Sequence, residues 1–436
     1  MATENDETNA AGGFFRQTFL SFADRNFRIF FWGQLLSNTG NWLTMVALTL
    51  LILKLTNSGL AVGLLTACQF GPILLLSAWA GVIADRSDKR KLLFLTQSLE
   101  MVQSFVLGAL AFMGHPPIVG LYATALAGGI LLAFDNPVRR SFVVETVPLE
   151  HVPNAVTLYS AMVNASRIFG PALAGALVVT LGFGWCFTID AFSYLAVLVA
   201  LIMIRTSELR RVPATPRGRG QVRAGLRYVR RVPALWITFV MLTIIGTLTY
   251  NFSVLFPLFV VHGLHGSDAT YTFVYSVFSV GSLVGALAVA HRSSVRVRFI
   301  VVGAAAFGLS MLLLAFAPTV AWVFPLVFLV GLTSIRYMTA TTAIVQVRAD
   351  PQMQGRVIAL QSVLLIGTTP IGGPFLGAVA DAFGARVPLV IGALAAVAAA
   401  AWGAFAERRA RDPSTPLSRT ADAEAGAEAA GTDLAI

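Results

Sequence analysis

The chain has 436 residues, of which 56% are hydrophobic and only 12% charged, about half the charged share of an ordinary soluble chain. Its apolar stretches outrun what a soluble core needs, which excludes a soluble enzyme, a disordered chain and a disulfide scaffold. Cys68 and Cys186 both lie in apolar runs and imply no oxidising compartment, and the net charge of +10 suggests nucleic acid only until its placement is considered.

In chain order, the acidic start MATENDETNAAGG lacks the basic residues, apolar run and cleavage site of a signal peptide, so the first span doubles as the insertion signal. A helix crosses a hydrocarbon core of about 30 Å with roughly 20 residues. Apolar runs that are unbroken rather than alternating predict helices, not a barrel. Spans are expected at about 27–53, 60–84, 92–113, 117–144, 155–181 and 185–205. A polar, arginine-dense stretch follows, and then spans at about 235–261, 270–291, 298–317, 321–345, 356–382 and 387–406. This predicts an all-α polytopic membrane protein with twelve transmembrane helices in two six-helix bundles, 27–205 and 232–406. Cytoplasmic tails are expected over 1–26 and 407–436, the latter disordered, with a basic cytoplasmic linker over 206–231.

Basic residues stay on the cytoplasmic side of a membrane protein. With both termini inside, the inner segments hold 27 of the 31 Lys and Arg residues, and the outer loops hold Lys54 and Arg386. The remaining two, Arg167 and Arg336, fall deep within spans, near the midplane. A basic surface facing anionic lipid explains the charge without nucleic acid as a partner.

The two halves repeat. FVVETVPLEHVPNAVTLYSAM from Phe142 parallels AIVQVRADPQMQGRVIALQSV from Ala343, and Gly170-Pro171 with Gly175 parallels Gly373-Pro374 with Gly377. Glycines allow close helix approach and proline frees a carbonyl, so these positions are expected to bend or pack their helices. Parallel half-repeats are typical of secondary transporters, with the substrate site near the midplane between halves.

The run Gly81-Val-Ile-Ala-Asp85-Arg86-Ser-Asp88-Lys89-Arg90-Lys91, after the second span, closely resembles the loop motif of the major facilitator superfamily, with Asp88 where that motif has glycine. The resemblance implies a cytoplasmic gate built on Gly81, Asp85, Arg86 and Arg90. The corresponding loop of the second half, HRSSVRVR from His291, keeps basic residues but no Asp, so the latch is expected to be asymmetric. FWGQLLSNTGNWL from Phe31, LTNSGLAVGLL from Leu55, FDNPVRRSFVVETVP from Phe134, PNAVTLYSAMVNASRIFGPALAG from Pro153 and QGRVIALQSV from Gln354 are similar to the enterobactin-exporter-like, transmembrane-secretion-effector group. That group implies export of small molecules, siderophores or drugs, against proton entry. Gly170-Pro171-x-x-x-Gly175 partly resembles an antiporter signature, with Ser166 where a glycine is expected.

On the first span Gln34, Asn38 and Asn41 share a face, flanked by Trp42; the seventh carries Thr243, Thr247, Tyr250 and Asn251 at similar spacing. Polar groups in spans face the bundle interior or a wet cavity, and the alternative is helix-to-helix hydrogen bonding without a ligand. With Arg167 and Arg336 these residues form the expected substrate cavity. The arginines favour an anionic or catecholate-like ligand. Phe30, Phe31, Trp32, Phe252 and Phe256 are expected mostly at lipid or the interface. A midplane arginine needs a carboxylate, a carbonyl or water. Asp135 is a candidate to compensate one, and it also stands four residues before Arg139, as an intrahelical ion pair requires. Asp135, Glu100 and Asp190 are the candidate coupling acids. Asn41 stands where several proton-driven exporters carry an acid.

No phosphate-cradling Gly-x4-Gly-Lys-Ser/Thr occurs, so an ion gradient, expected to be H+, replaces ATP, and no cofactor is expected. His262 and His265 alone do not make a metal site. The expectation is a monomeric, multi-pass secondary transporter of the cell (inner) membrane, not an enzyme, exporting a small molecule by alternating access. An importer of the same fold, a lipid flippase and a transporter-like receptor are the alternatives.

Overall fold

The computed structural model describes residues 18–210, 221–289 and 296–410. The expected tails before residue 18 and after residue 410, part of the linker and most of the loop at His291 lie outside the described residues, as does the side chain of Asp85. Among the described residues the regular structure is helical, and twelve segments are long and apolar enough to cross a membrane.

The first six spans are single helices: α1 (Arg25–Thr56), α2 (Gly59–Arg86), α3 (Lys89–Phe112), α4 (Ile118–Glu145), α5 (Val152–Thr180) and α6 (Phe183–Met203). The linker ends in a short helix, α7 (Gln221–Arg231). The seventh span is broken into α8 (Pro233–Leu248), α9 (Phe252–Pro257) and a wide π turn, Leu258–Gly263. Then come α10 (Asp268–Val289), α11 (Val297–Ala315) and α12 (Val320–Arg348). The eleventh span is also split, into α13 (Pro351–Ile366) and α14 (Thr369–Phe383), and α15 (Val387–Ala410) closes the series.

The span boundaries expected from hydropathy hold to within a few residues, but the two splits do not follow from it. In the seventh span the interruption falls at Thr249–Asn251, where Thr249 Oγ1 donates to Gly392 O at 2.8 Å. In the eleventh it falls at Gly367–Thr368. Pro370 follows and has no N–H to bond the carbonyl four residues earlier, so the break precedes Gly373-Pro374, the expected bend.

Two compact units are distinguished. One comprises residues 1–48 and 75–216, the other 49–74 and 217–436. In the first, α3 packs along α6 and α4; in the second, α11 packs along α15 and α12. The third and sixth spans of each half therefore pair in the same way, as the sequence repeat requires. Gly182 and Gly384 end the fifth and eleventh spans with φ of +85° and +90°, a conformation that favours glycine.

Around the start of α1 in the first unit Phe27, Phe30, Leu93, Val138, Phe142, Val197 and Leu201 form an enclosed apolar cluster. In the second, Phe252, Phe256, Tyr275 and Phe278 pack in tilted and edge-to-face pairs with ring centroids 4.5–6.0 Å apart. This corrects the lipid-facing expectation for three aromatics: Phe30, Phe252 and Phe256 are buried, while Trp32 is 54% exposed. A ring that finds other rings in a tightly packed interior gains more than one left at an interface.

Three parts of the expected polar segments are ordered. Before α1, Ser21 N and Thr18 O hydrogen-bond the Asn154 side chain at 3.0 and 2.8 Å. In α7 Val229 is buried, and the Tyr228 hydroxyl accepts from Asp350 N at 3.0 Å. Residues 407–410, expected in the C-terminal tail, continue α15.

Candidate functional site

The polar residues of the first unit's spans converge on one buried network. Arg139, on α4, is its centre. One end of its guanidinium pairs with Asp135, one turn earlier on the same helix. Its Nη1 donates to Asn38 Oδ1 on α1 at 3.0 Å. Asp135 Oδ1 also accepts from Thr96 Oγ1 at 2.8 Å and Gln97 Nε2 at 2.9 Å, both on α3. Gln97 Nε2 donates in turn to Glu100 Oε2 at 2.9 Å. Asn38 Nδ2 donates to Gln34 Oε1 at 3.1 Å and to Gln34 O at 2.9 Å. Asp135, Gln97 and Gln34 have no solvent-exposed surface, and Glu100 and Arg139 retain 3% each.

One turn along α3 from Glu100, Ser104 Oγ donates to Asp190 Oδ2 on α6 at 2.8 Å, and Thr44 Oγ1 on α1 donates to the same oxygen at 2.7 Å. Asp190 is thus a carboxylate ringed by hydroxyls. Together the two nodes place three acids and one guanidinium inside four helices. A buried charge is tolerated only when paired or hydrogen-bonded, and of the three acids Asp135 alone pairs with a cation among the described residues.

The helical spacing that suggested an Asp135–Arg139 pair is realised, and Asp135 compensates neither Arg167 nor Arg336. Arg167 is half-buried with its guanidinium 5.2 Å from the Trp42 ring centroid, the geometry of a cation–π contact. Gly170, one turn on, allows this approach: a Cβ there would lie 2.9 Å from Thr39 O. Pro171 and Gly175 are buried in α5. Gln34 and Asn38, expected on a cavity wall, are enclosed, with Asn38 accepting from Arg139 and Gln34 from Asn38, whereas Asn41 and Trp42 are half-buried.

In the second unit Tyr250 Oη donates to Ser334 O at 2.6 Å, and Asn251 is buried with Nδ2 on Thr247 O at 2.7 Å. Thr243 and Arg336 are exposed on α8 and α12. Gly373 and Gly377 are buried in α14 beside the half-buried Pro374.

Within the last turns of α2, which run through the part of the motif expected as a loop, Gly81 is buried and Arg86 exposed. Arg90 Nε donates to Leu201 O at 2.6 Å, satisfying a carbonyl at the end of α6, where helix carbonyls lack partners. Lys89 pairs with Glu145. Thr96, Gln97 and the central part of Arg139 are not evident from the sequence. Gln97 stands three residues before Glu100, and that spacing was the available signal. No group of three or more metal-binding side chains occurs among the described residues.

Two half-repeats of six spans, with a charged network buried in one, define a polytopic membrane transporter rather than an enzyme. Comparison with known proteins agrees. The chain belongs to the transmembrane secretion effector family of the major facilitator superfamily, whose model matches residues 16–424. The Staphyloferrin A transporter of Staphylococcus aureus is 25% identical over 82% of this chain and 90% of its own length. The multidrug efflux pump Tap of Mycolicibacterium fortuitum is 25% identical over 80% and 88%. Macrolide efflux protein A of Streptococcus pyogenes is 22% identical over 78% and 85%. Among solved structures, a POT family transporter in complex with 5-aminolevulinic acid superposes with a TM-score of 0.73 at 12% identity, covering 88% of this chain and 96% of that one. A bacterial homologue of the human lysosomal transporter Spinster, inward-facing and occupied, gives 0.70 at 17%, covering 89% and 97%. These likenesses show the shared fold.

Proposed function

We propose that this protein exports a small organic molecule, a siderophore-like metabolite or a drug, by alternating access, in exchange for protons entering the cell. The observation that carries the coupling is the buried excess of acids over cations around Arg139. Charges inside a membrane protein are expensive and accompany ion and proton pathways.

Within this reading Asp135 and Arg139 are a fixed pair and Asp190 is a hydroxyl-solvated acid. Glu100, joined to Asp135 through the two N–H groups of Gln97, is the acid that takes up and releases the proton. Gln97 passes the change to Asp135, and Arg139 passes it to α1 through Asn38. Asn41 and Arg167 in the first unit, and Thr243, Thr247 and Arg336 in the second, are the substrate-facing residues. Tyr250 and Asn251 hold the break in the seventh span in place. The positive-inside count supports cytoplasmic termini in the cell membrane. The efflux relatives support the outward direction.

The test is made in an efflux-deficient bacterium with ethidium and erythromycin as probes. The wild-type protein is expected to lower accumulation of at least one probe and to raise tolerance to it. Glu100→Gln, folded and inserted, does neither. Increased accumulation with the wild-type protein would make it an importer.

A further inference from the structure

The loop motif that starts at Gly81 has a second copy near the end of the last bundle. Gly377-x-x-x-Asp381-x-x-Gly384-x-Arg386 repeats the spacing of Gly81-x-x-x-Asp85-x-x-Asp88-x-Arg90, and it carries the glycine that the first copy replaces with Asp88. The two arginines play the same part. Arg90 donates to Leu201 O at the end of α6, and Arg386 Nη2 donates to Ala317 O, just past the end of α11, at 3.1 Å. The expected location of a second copy was the loop at His291, which has no Asp. The copy follows the eleventh span, not the eighth, so it lies at the other face of the membrane.

Asp381 sits against the start of α2, within the second unit. Its Oδ1 accepts from Gly59 N at 2.5 Å, and its Oδ2 accepts from Ser58 Oγ at 2.7 Å and Leu60 N at 2.9 Å. The first N–H groups of a helix have no partner within it and form its positive end, so a carboxylate suits this place. Beside it the two backbones touch. A Cβ on Gly59 would lie 2.6 Å from Gly377 O, and a Cβ on Gly63 or Gly377 would enter the facing backbone at Gly373 or Gly59. Small residues four apart on both helices make a seam of backbone on backbone. The same helix α2 reaches the first unit beyond Leu74 and ends at the first copy of the motif.

We propose that Asp381 is an outer gate residue. Its carboxylate holds the outer ends of α2 and α14 together while the transporter is closed to the outside, and it releases them when the outside opens. The assignment of inner and outer faces rests on the orientation argued above. The contact is built to be reversible. Asp381 is exposed, so water replaces the protein donors when the helices part, and the glycine seam separates without repacking side chains.

Hydrogen–deuterium exchange of the full chain in lipid nanodiscs, with no substrate and no gradient, tests this. Asp381→Asn is expected to raise exchange over residues 57–63 and 377–383. It is also expected to lower exchange over the inner segment 82–92, as the outward-open population grows by about two- to fivefold. Ser58→Ala, which removes one donor of three, is expected to give the same pattern more weakly, and it decides the matter if the Asp381 variant fails to fold. Unchanged exchange would overturn the proposal. So would a rise confined to the outer segments, because that is the mark of a local helix cap. A protein that shows the paired change yet moves neither probe in cells would keep this gate and lose the exporter reading.

Discussion

At the scale of single residues, the Arg139 network separates what supports the fold from what serves transport. Removing one partner of a buried ion pair leaves the other charge uncompensated, at a cost of about 3–5 kcal/mol. Asp135→Asn is therefore expected to lower stability by that amount in denaturant unfolding of the purified protein in detergent. The double variant Asp135→Leu with Arg139→Met removes both charges and is expected to recover most of the loss while transport stays abolished. A double variant as unstable as the single one would show that Arg139 does not depend on Asp135 for its stability. Ser104→Ala removes one of the hydroxyls on Asp190 and is expected to cost about 1 kcal/mol in the same measurement.

The sequence made part of this network legible. The four-residue spacing of Asp135 and Arg139 names the pair, because both residues stand on one helix. Gln97 is harder to see: its partners Asp135 and Ser37 lie on other helices, and no periodicity reports a neighbour across an interface. Asn38 is visibly polar and in-span in the sequence, but whether such a face meets a wet cavity or another helix is a matter of packing. Here the other helix brings an arginine.

At the scale of elements, helix contacts made by glycine set what can be changed. Gly331 on α12 faces the backbone of α10, where an added Cβ would lie 3.0 Å from Ser282 N and closer still to Phe278 O. Gly355 on α13 has open space around its Cβ position. Gly331→Ala is expected to destabilise the protein, since an overpacked core costs about 1–3 kcal/mol. Gly355→Ala is expected to stabilise it by about 0.5–1 kcal/mol, the helix preference of alanine over glycine. Thermal unfolding of the two variants side by side checks the opposite signs. The same two glycines look alike in the sequence, because hydropathy records that a segment is apolar and not which stripe of it meets a neighbour. The splits in the seventh and eleventh spans stayed hidden for a related reason. The break in the seventh span is supported from outside its own helix, as Tyr250 on Ser334 and Thr249 on Gly392 show. The copy of the loop motif at Gly377–Arg386 was present in plain letters, but a parallel repeat directs attention to the loop after the eighth span.

At the scale of the whole molecule, the twelve spans and the two-fold repeat were legible because bilayer thickness fixes the length of every apolar run. Orientation rests on the Lys and Arg count. Reporter enzymes fused after residues 57, 115, 182 and 384 are expected outside, and those fused after 88, 148 and 210 inside. Activity of the 210 fusion on the outer side would invert the topology and, with it, the assignment of the Asp381 gate.

The central claim is that proton movement drives outward transport through Glu100. Inside-out vesicles holding the purified protein, given an acid interior and external ethidium or erythromycin, test it most directly. The account predicts that the probe accumulates only while the pH difference lasts, and that Glu100→Gln leaves the slow leak while abolishing the gradient-driven part. Accumulation that ignores the gradient, or that survives unchanged in Glu100→Gln, would contradict it.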